Sequence, residues 1–142
     1  MIIVDTNVVS ELLRPAPEER VRSWVRNRSR RTLVITAITV AELLRGIDQL
    51  PKGRRRTKLE DGVDGLLTVF DDQVLPFDND AAFAYADVVD ERLRAGRPID
   101  DADAQIASIC RSRRVPLATR NTRDFELTGI DLIDPWAGET VR

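Results

Sequence analysis

The chain has 142 residues, 22 Lys plus Arg against 24 Asp plus Glu for a net charge of −2, one cysteine and no histidine. This length suits a single domain over residues 1–142 with a core that needs no disulfide or structural zinc; the lone Cys110 could supply neither and fits a reducing cytoplasm. Without histidine, Ser-His-Asp and Cys-His catalysis and every His-ligated metal are excluded, and the near-balanced charge excludes a nucleic-acid binder held by bulk charge.

The start, Met1-Ile2-Ile3-Val4-Asp5, puts an acid where a signal peptide needs its apolar stretch to continue. No later apolar run approaches the roughly 20 residues that span a bilayer, so a soluble, non-exported protein without a membrane partner is expected. Ile2-Ile3-Val4 is a short β-branched strand ending in Asp5-Thr6-Asn7, which caps a helix carrying Val9, Leu12 and Leu13. Pro15 and Pro17 break the chain before a helix with Val21, Trp24 and Val25. Leu33-Val34-Ile35 is the second strand; Thr39 opens a helix with Val40, Leu43, Leu44 and Ile47 that runs to Pro51. After the basic stretch 52–58, Leu59, Val63, Leu66, Leu67 and Phe70 keep helical spacing.

Val74-Leu75 is a weak third strand, followed by a helix whose apolar stripe is Ala82, Ala86, Val89 and Leu93 and whose other face shows Asp87, Asp90 and Glu91. A helix after Asp100 carries Ile106, Ala107, Ile109 and Cys110 inside. Val115-Pro116-Leu117-Ala118 and Asp131-Leu132-Ile133 complete the strands. Alternating strands and helices predict an α/β domain, a mostly parallel sheet of four to five short strands with helices on both faces. Such sheets bind ligands at the carboxyl ends of their strands.

Four acids sit at or near those ends: Asp5 after the first strand, Glu42 in the first turn after the second, Asp103 in the first turn of a later helix, and Asp124 after the fourth strand. Each has an ordinary explanation. Asp5 belongs to a capping cluster, Thr39-Val40-Ala41-Glu42 matches a capping box, and Asp103 and Asp124 stand three residues after Asp100 and Asn121, where an acid favours the helix dipole. Capping does not explain why an acid recurs at successive junctions along one sheet edge. Clustered carboxylates repel one another, and a divalent cation resolves the conflict. Oxygen-only ligands point to Mg²⁺, or Mn²⁺ as a substitute, able to activate water against a phosphodiester.

Val4-Asp5-Thr6-Asn7, Ala41-Glu42-Leu43, Asp103-Ala104-Gln105-Ile106-Ala107 and Thr119-Arg120-Asn121-Thr122-Arg123-Asp124-Phe125 occur in the order and approximate spacing of PIN-domain ribonucleases. The chain resembles, over nearly its whole length, the VapC toxins of bacterial toxin–antitoxin pairs; the Thr-Arg-Asn-x-x-Asp-Phe segment and Asp134-Pro135-Trp136 look most like the FitB subgroup. The resemblance implies a PIN-like fold and a Mg²⁺-dependent endoribonuclease, with Asp5 and Asp103 as principal metal ligands, Glu42 as third acid and Asp124 as fourth. Thr6, Asn7, Thr119 and Asn121 become polar neighbours that orient carboxylates or water. Some PIN domains have an acid where Asn121 stands, leaving the fourth role divided between Asn121 and Asp124. Asp103 is preferred to Asp100 and Asp101 because it precedes the x-x-Ile-Ala pattern, whereas Asp100 suits the helix cap.

The implied partners are an RNA substrate, a second copy in a homodimer, and a VapB-like antitoxin through which alone DNA is reached. Leu12, Leu13, Val21, Trp24 and Val25 offer either a groove for an antitoxin helix or core packing. Cys110 and Trp24 read as core groups. The clusters Arg26, Arg28, Arg30, Arg31 and Lys52, Arg54, Arg55, Arg56, Lys58 are either solvated helix ends or phosphate contacts; Arg120 and Arg123 lie nearest the acids in sequence and are the first RNA-binding candidates. The competing function is a PIN-fold binding module with little activity of its own, working with its antitoxin in a DNA-binding autoregulatory complex. A phosphotransfer site fits less well: it would want a second Asp where Asn7 stands, or an acidic pair followed by an acceptor Asp after the third strand.

Overall fold

The strands β1 (Ile2–Val4), β2 (Leu33–Thr36), β3 (Val74–Leu75), β4 (Leu117–Ala118), β5 (Leu132–Asp134) and β6 (Glu139–Val141) form one sheet in the order β3-β2-β1-β4-β5-β6. The computed structural model describes residues 1–137 and 139–141. Strands β1 to β5 pair parallel, with Ile3 opposite both Val34 and Leu117. The sixth strand, absent from the sequence reading, runs antiparallel beside β5.

Period-two alternation divides each strand between two cores. Ile3, Val34, Leu117 and Leu132 face helices α5 (Asn79–Arg94) and α6 (Asp101–Arg113). Val4, Leu33, Ile35 and Ala118 face α1 (Thr6–Leu12), α2 (Glu19–Arg26), α3 (Ala37–Asp48) and α4 (Arg54–Val69). Each fully buried Ile, Leu or Val contributes about 1.5–3 kcal/mol, so both faces of these two- to four-residue strands are covered by necessity.

Several local expectations change. The inward face of α5 is Ala81, Val88 and Arg92; of the expected stripe only Val89 is partly covered, and Leu93 is 56% exposed. The stripe was displaced by one position because periodicity does not anticipate a buried arginine. Helix α3 begins at Ala37, capped by Thr36, whose Oγ1 accepts from the Thr39 N–H at 3.2 Å. Thr39 therefore lies buried inside the helix, the Thr39–Glu42 capping box does not form, and Leu44 is exposed. Asp100 occupies the position before α6 but makes no side-chain capping bond. Val21 and Trp24 are core residues, while Leu12, Leu13 and Val25 are half-buried around them.

β1 has β2 on one side and β4 on the other. The chain winds outward in opposite directions from this pair, which opens a crevice at the carboxyl ends of β1 and β4. Asp5 and Thr119 are the residues immediately beyond those two ends.

Candidate active site

Asp5 stops β1 and caps α1, and is only 5% exposed. Its Oδ1 accepts from the Thr6 N–H at 2.8 Å and its Oδ2 from the Thr119 hydroxyl at 2.8 Å. The Thr119 hydroxyl in turn accepts from Asn7 Nδ2 at 3.0 Å and from the Asn121 N–H at 3.1 Å. With its one proton and two lone pairs all engaged, Thr119 can present itself to Asp5 only as a donor. The Arg120 N–H donates to Asn7 Oδ1 at 3.3 Å and so ties the segment after β4 to α1.

On the other side of the cleft Thr6 lies between two helices. Its hydroxyl donates to Glu42 Oε1 at 2.7 Å and sits 3.0 Å from the Thr39 hydroxyl. Glu42 is thus aimed back at α1 and away from its own helix terminus.

Asp103, half-buried in the first turn of α6, completes the lining. Asp5, Thr6, Asn7, Glu42, Asp103 and Asn121 all border one open cleft of about 470 Å³. Asp124 sits in a short 3-10 turn, Thr122–Phe125. It is exposed and outside that lining, yet its charge is felt by both Asp5 and Asp103. Arg120 and Arg123 are both exposed.

The acids oppose one another's ionisation. Burial raises the Asp5 carboxyl above its usual range, although the bonds from Thr119 and Thr6 favour its charged form; Glu42 and Asp124 push it up further. Asp103 is raised to about 7, first by burial and then by repulsion from Asp5, Asp100, Asp124 and Glu42. Among the described residues no three acids or cysteines converge tightly enough to grip one ion by themselves. The side-chain atoms on the lining that could ligate a cation are oxygens, the donor type Mg²⁺ takes, with one or two carboxylates usually enough because the ion retains several waters. An orienting bond such as Thr119 to Asp5 is what fixes a carboxylate ligand.

Sequence reasoning missed three lining residues, Ser10, Glu11 and Arg14. The spacing of Ser10 and Glu11 from Asn7, three and four along α1, was the available signal for those two, since it stacks them on one helical face; Arg14 lies just beyond the helix end. Glu11 accepts from Arg14 at 3.4 Å and from the Glu18 N–H at 3.2 Å, joining α1 to the start of α2. Arg92 was also missed. Only 4% exposed, it donates to the carbonyls of Asp124, Glu126 and Arg97 at 2.6–2.9 Å and holds the 3-10 turn beneath the cleft. The basic clusters divide: Arg26 pairs with Glu19, Arg28 covers Trp24, and Arg56 is bound to Glu60, Asp48 and the Leu50 carbonyl. Arg30, Arg31, Lys52, Arg54, Arg55 and Lys58 stay exposed.

A mostly parallel sheet whose switch-point crevice gathers acids from several chain segments defines a class of α/β domains with an acidic strand-end site, and comparison with known proteins narrows it. The PIN domain model matches residues 2–130, and the chain belongs to the PIN-domain family. It is 41% identical to VapC ribonuclease Y4jK of Sinorhizobium fredii, over 96% of this chain and 98% of that protein. It is 36% identical to Toxin FitB of Neisseria gonorrhoeae, over 96% and 99% of the two chains. The structure of FitAB bound to an IR36 DNA fragment contains a chain that superposes with a TM-score of 0.90 at 35% identity, covering 96% of each.

Proposed function

We propose that the protein is a Mg²⁺-dependent endoribonuclease, the cytoplasmic toxin of a VapBC-type pair, with Mn²⁺ as a substitute ion. The observation that carries the reading is the joint placement of Asp5 and Asp103 at one strand-end crevice, with Asp5 locked by two donors and Asp103 holding its proton near neutrality. Identity to a named VapC ribonuclease supports the substrate class.

Asp5 and Asp103 are the residues that would hold Mg²⁺, which when bound would neutralise phosphodiester charge and activate water. The remaining roles belong to the chain's own groups. Thr119 and the Thr6 N–H fix the Asp5 carboxylate; Asn7 and the Asn121 N–H fix Thr119. Thr6 holds Glu42 toward the cleft, as third acid. Asn121 lines the cleft and Asp124 adds negative field from its edge, so the fourth role is shared between a neutral and a charged side chain. Arg120 and Arg123 meet the phosphates of the incoming strand.

The antitoxin partner is supported by the likeness to FitAB. Its docking groove is the cleft of about 660 Å³ lined by Leu13, Leu43, Leu50 and Leu59, rimmed by Arg55, and opening onto Thr6 and Glu42. A helix seated there would lie against the acids. DNA is reached through that partner, and the toxin itself works as a homodimer.

Two measurements test the reading. Cleavage of total RNA should require Mg²⁺ or Mn²⁺ and stop in EDTA. Mg²⁺ should raise the Tm of the wild type more than that of Asp5→Asn, because a ligand that binds only the native state stabilises it by mass action. Equal shifts, or cleavage unaffected by EDTA, would overturn the metal site.

A further inference from the structure

Both tryptophans of the chain border one cleft, away from the acids. Trp24 on α2 and Trp136 in the turn after β5 line an open cavity of about 590 Å³ together with Arg20, Asn27, Arg28 and Glu19. Each indole carries a guanidinium: Arg28 lies 3.9 Å over the Trp24 ring and Arg120 5.1 Å over the Trp136 ring. The Arg20 side chain donates to the Trp136 carbonyl at 3.3 Å. Glu19, the single acid of this lining, is engaged by Arg26 at 2.6 Å and Arg22 at 3.6 Å. The cleft is therefore cationic and aromatic with an amide at its edge.

Core packing accounts for the body of Trp24, which is 7% exposed. Trp136 packs against the same core but stays half-buried, and core packing does not account for the exposed arginine over its ring. Nor does it explain where that arginine stands. The Arg120 backbone N–H is bonded to Asn7 in the acidic cleft, and its side chain reaches the Trp136 ring. One residue thus spans the two clefts. A strand whose scissile phosphate lay near Asp5 and Asp103 would pass Arg120 on its way to Trp136.

We propose that this cleft binds an unpaired nucleotide flanking the scissile phosphate, an inference that rests on the ribonuclease reading above. The base stacks on Trp136, the phosphate is met by Arg120 and Arg20, and Asn27 offers an amide to the base edge. Stacking on aromatic faces and guanidinium planes is the usual way proteins hold single-stranded RNA, and it requires bases that are not already paired.

The two tryptophans make the cleft report on itself. The full chain, in EDTA, is titrated with oligoadenylate and oligouridylate of about twelve nucleotides, and with a duplex of the same length. Saturable quenching of tryptophan fluorescence by a single strand, and none by the duplex, is expected. Anisotropy of labelled RNA then gives affinities for variants. Trp136→Leu should weaken binding about tenfold or more, the loss of one stacked base, and raise KM with kcat at saturation unchanged, while Trp136→Phe restores most of both. Arg20→Ala, at an exposed position, provides a second variant that does not touch the core, and should weaken binding in a salt-dependent way. If the wild type cleaves RNA but Trp136→Leu and Arg20→Ala change neither affinity nor KM, the subsite is overturned and the nuclease stands. If the wild type neither binds nor cleaves RNA, both fall. Quenching by the antitoxin but not by RNA overturns the proposal in favour of a protein-docking surface.

Discussion

Asp103 is the residue on which the electrostatic strain of the cleft is most visible. Its carboxyl ionises at 3.8 ordinarily and at about 7 in the folded chain, so between those values the folded state binds a proton that the unfolded state has released. Without a divalent cation, stability therefore falls as pH rises through this window. Asp103→Asn removes the dependence. Near pH 8 the variant should be more stable than the wild type by about 1–2 kcal/mol, a figure reduced for the solvent screening of a half-buried group, and near pH 4 the two should converge. Urea denaturation in EDTA at both pH values measures the difference, and metal-dependent cleavage should be abolished in the same variant. A wild-type pH slope in the variant, or wild-type turnover, would remove Asp103 from the site.

At the scale of elements, α5 does two things: with α6 it covers one face of the sheet, and Arg92 in its last turn, with Arg97 just beyond its end, holds the 3-10 turn. Arg92 donates to the Asp124 and Glu126 carbonyls, and Arg97 pairs with Glu126 at 2.8 Å and donates to the Arg123 carbonyl at 3.0 Å. Arg92→Met keeps the apolar stem but leaves three part-buried carbonyls without their donor, and should cost about 2–4 kcal/mol. Hydrogen exchange should speed up over 122–126 before it does in the sheet; uniform loss of protection would mean that the clamp is not local. Helix α3 offers the opposite kind of change. Gly46 lies in its interior, borders the groove assigned to the antitoxin, and has no heavy atom within 4 Å of where a Cβ would stand. Gly46→Met should raise stability by roughly 0.5–1 kcal/mol through helix propensity. It should also weaken antitoxin capture at least several-fold by filling the groove. Unchanged capture in pull-down would place the partner elsewhere.

At the scale of the whole molecule, the sequence revealed those features that local chemistry repeats. Short β-branched or apolar runs that give way to polar residues made β1, β2, β4 and β5 and the acids near their ends readable, whereas the order in which the strands meet was not. Arg92 was hidden because its partners are carbonyls, which no side-chain pattern announces. β6 was hidden because three residues beside an edge strand carry little signal. The Asp5–Thr119 bond joins residues 114 apart and follows only from the strand order.

The absence of histidine is also a property of the whole chain, and it fixes the ends that cleavage should leave. Ribonucleases that let the substrate's own 2′-hydroxyl attack phosphorus rely on side chains that exchange protons near neutral pH, and imidazole is the usual one. Here the cleft offers carboxylates, amides, hydroxyls and the Arg14 guanidinium, and its one group poised near neutrality, Asp103, is the proposed metal ligand and so would not be free to shuttle a proton once the ion is bound. Asp5 and Asp103 would hold a divalent cation, which when bound would activate water for attack on phosphorus with the 3′-oxygen as leaving group. The fragments should carry 5′-phosphate and 3′-hydroxyl ends. A 2′-deoxyribose at the scissile position should leave the chemical step intact, even where it weakens binding by removing a recognised hydroxyl. Mass spectrometry of both fragments, with the deoxy-substituted substrate in parallel at saturation, reads the outcome. Cyclic phosphate ends, or loss of chemistry on the deoxy substrate, would sink the carboxylate–metal mechanism while leaving the family assignment in place.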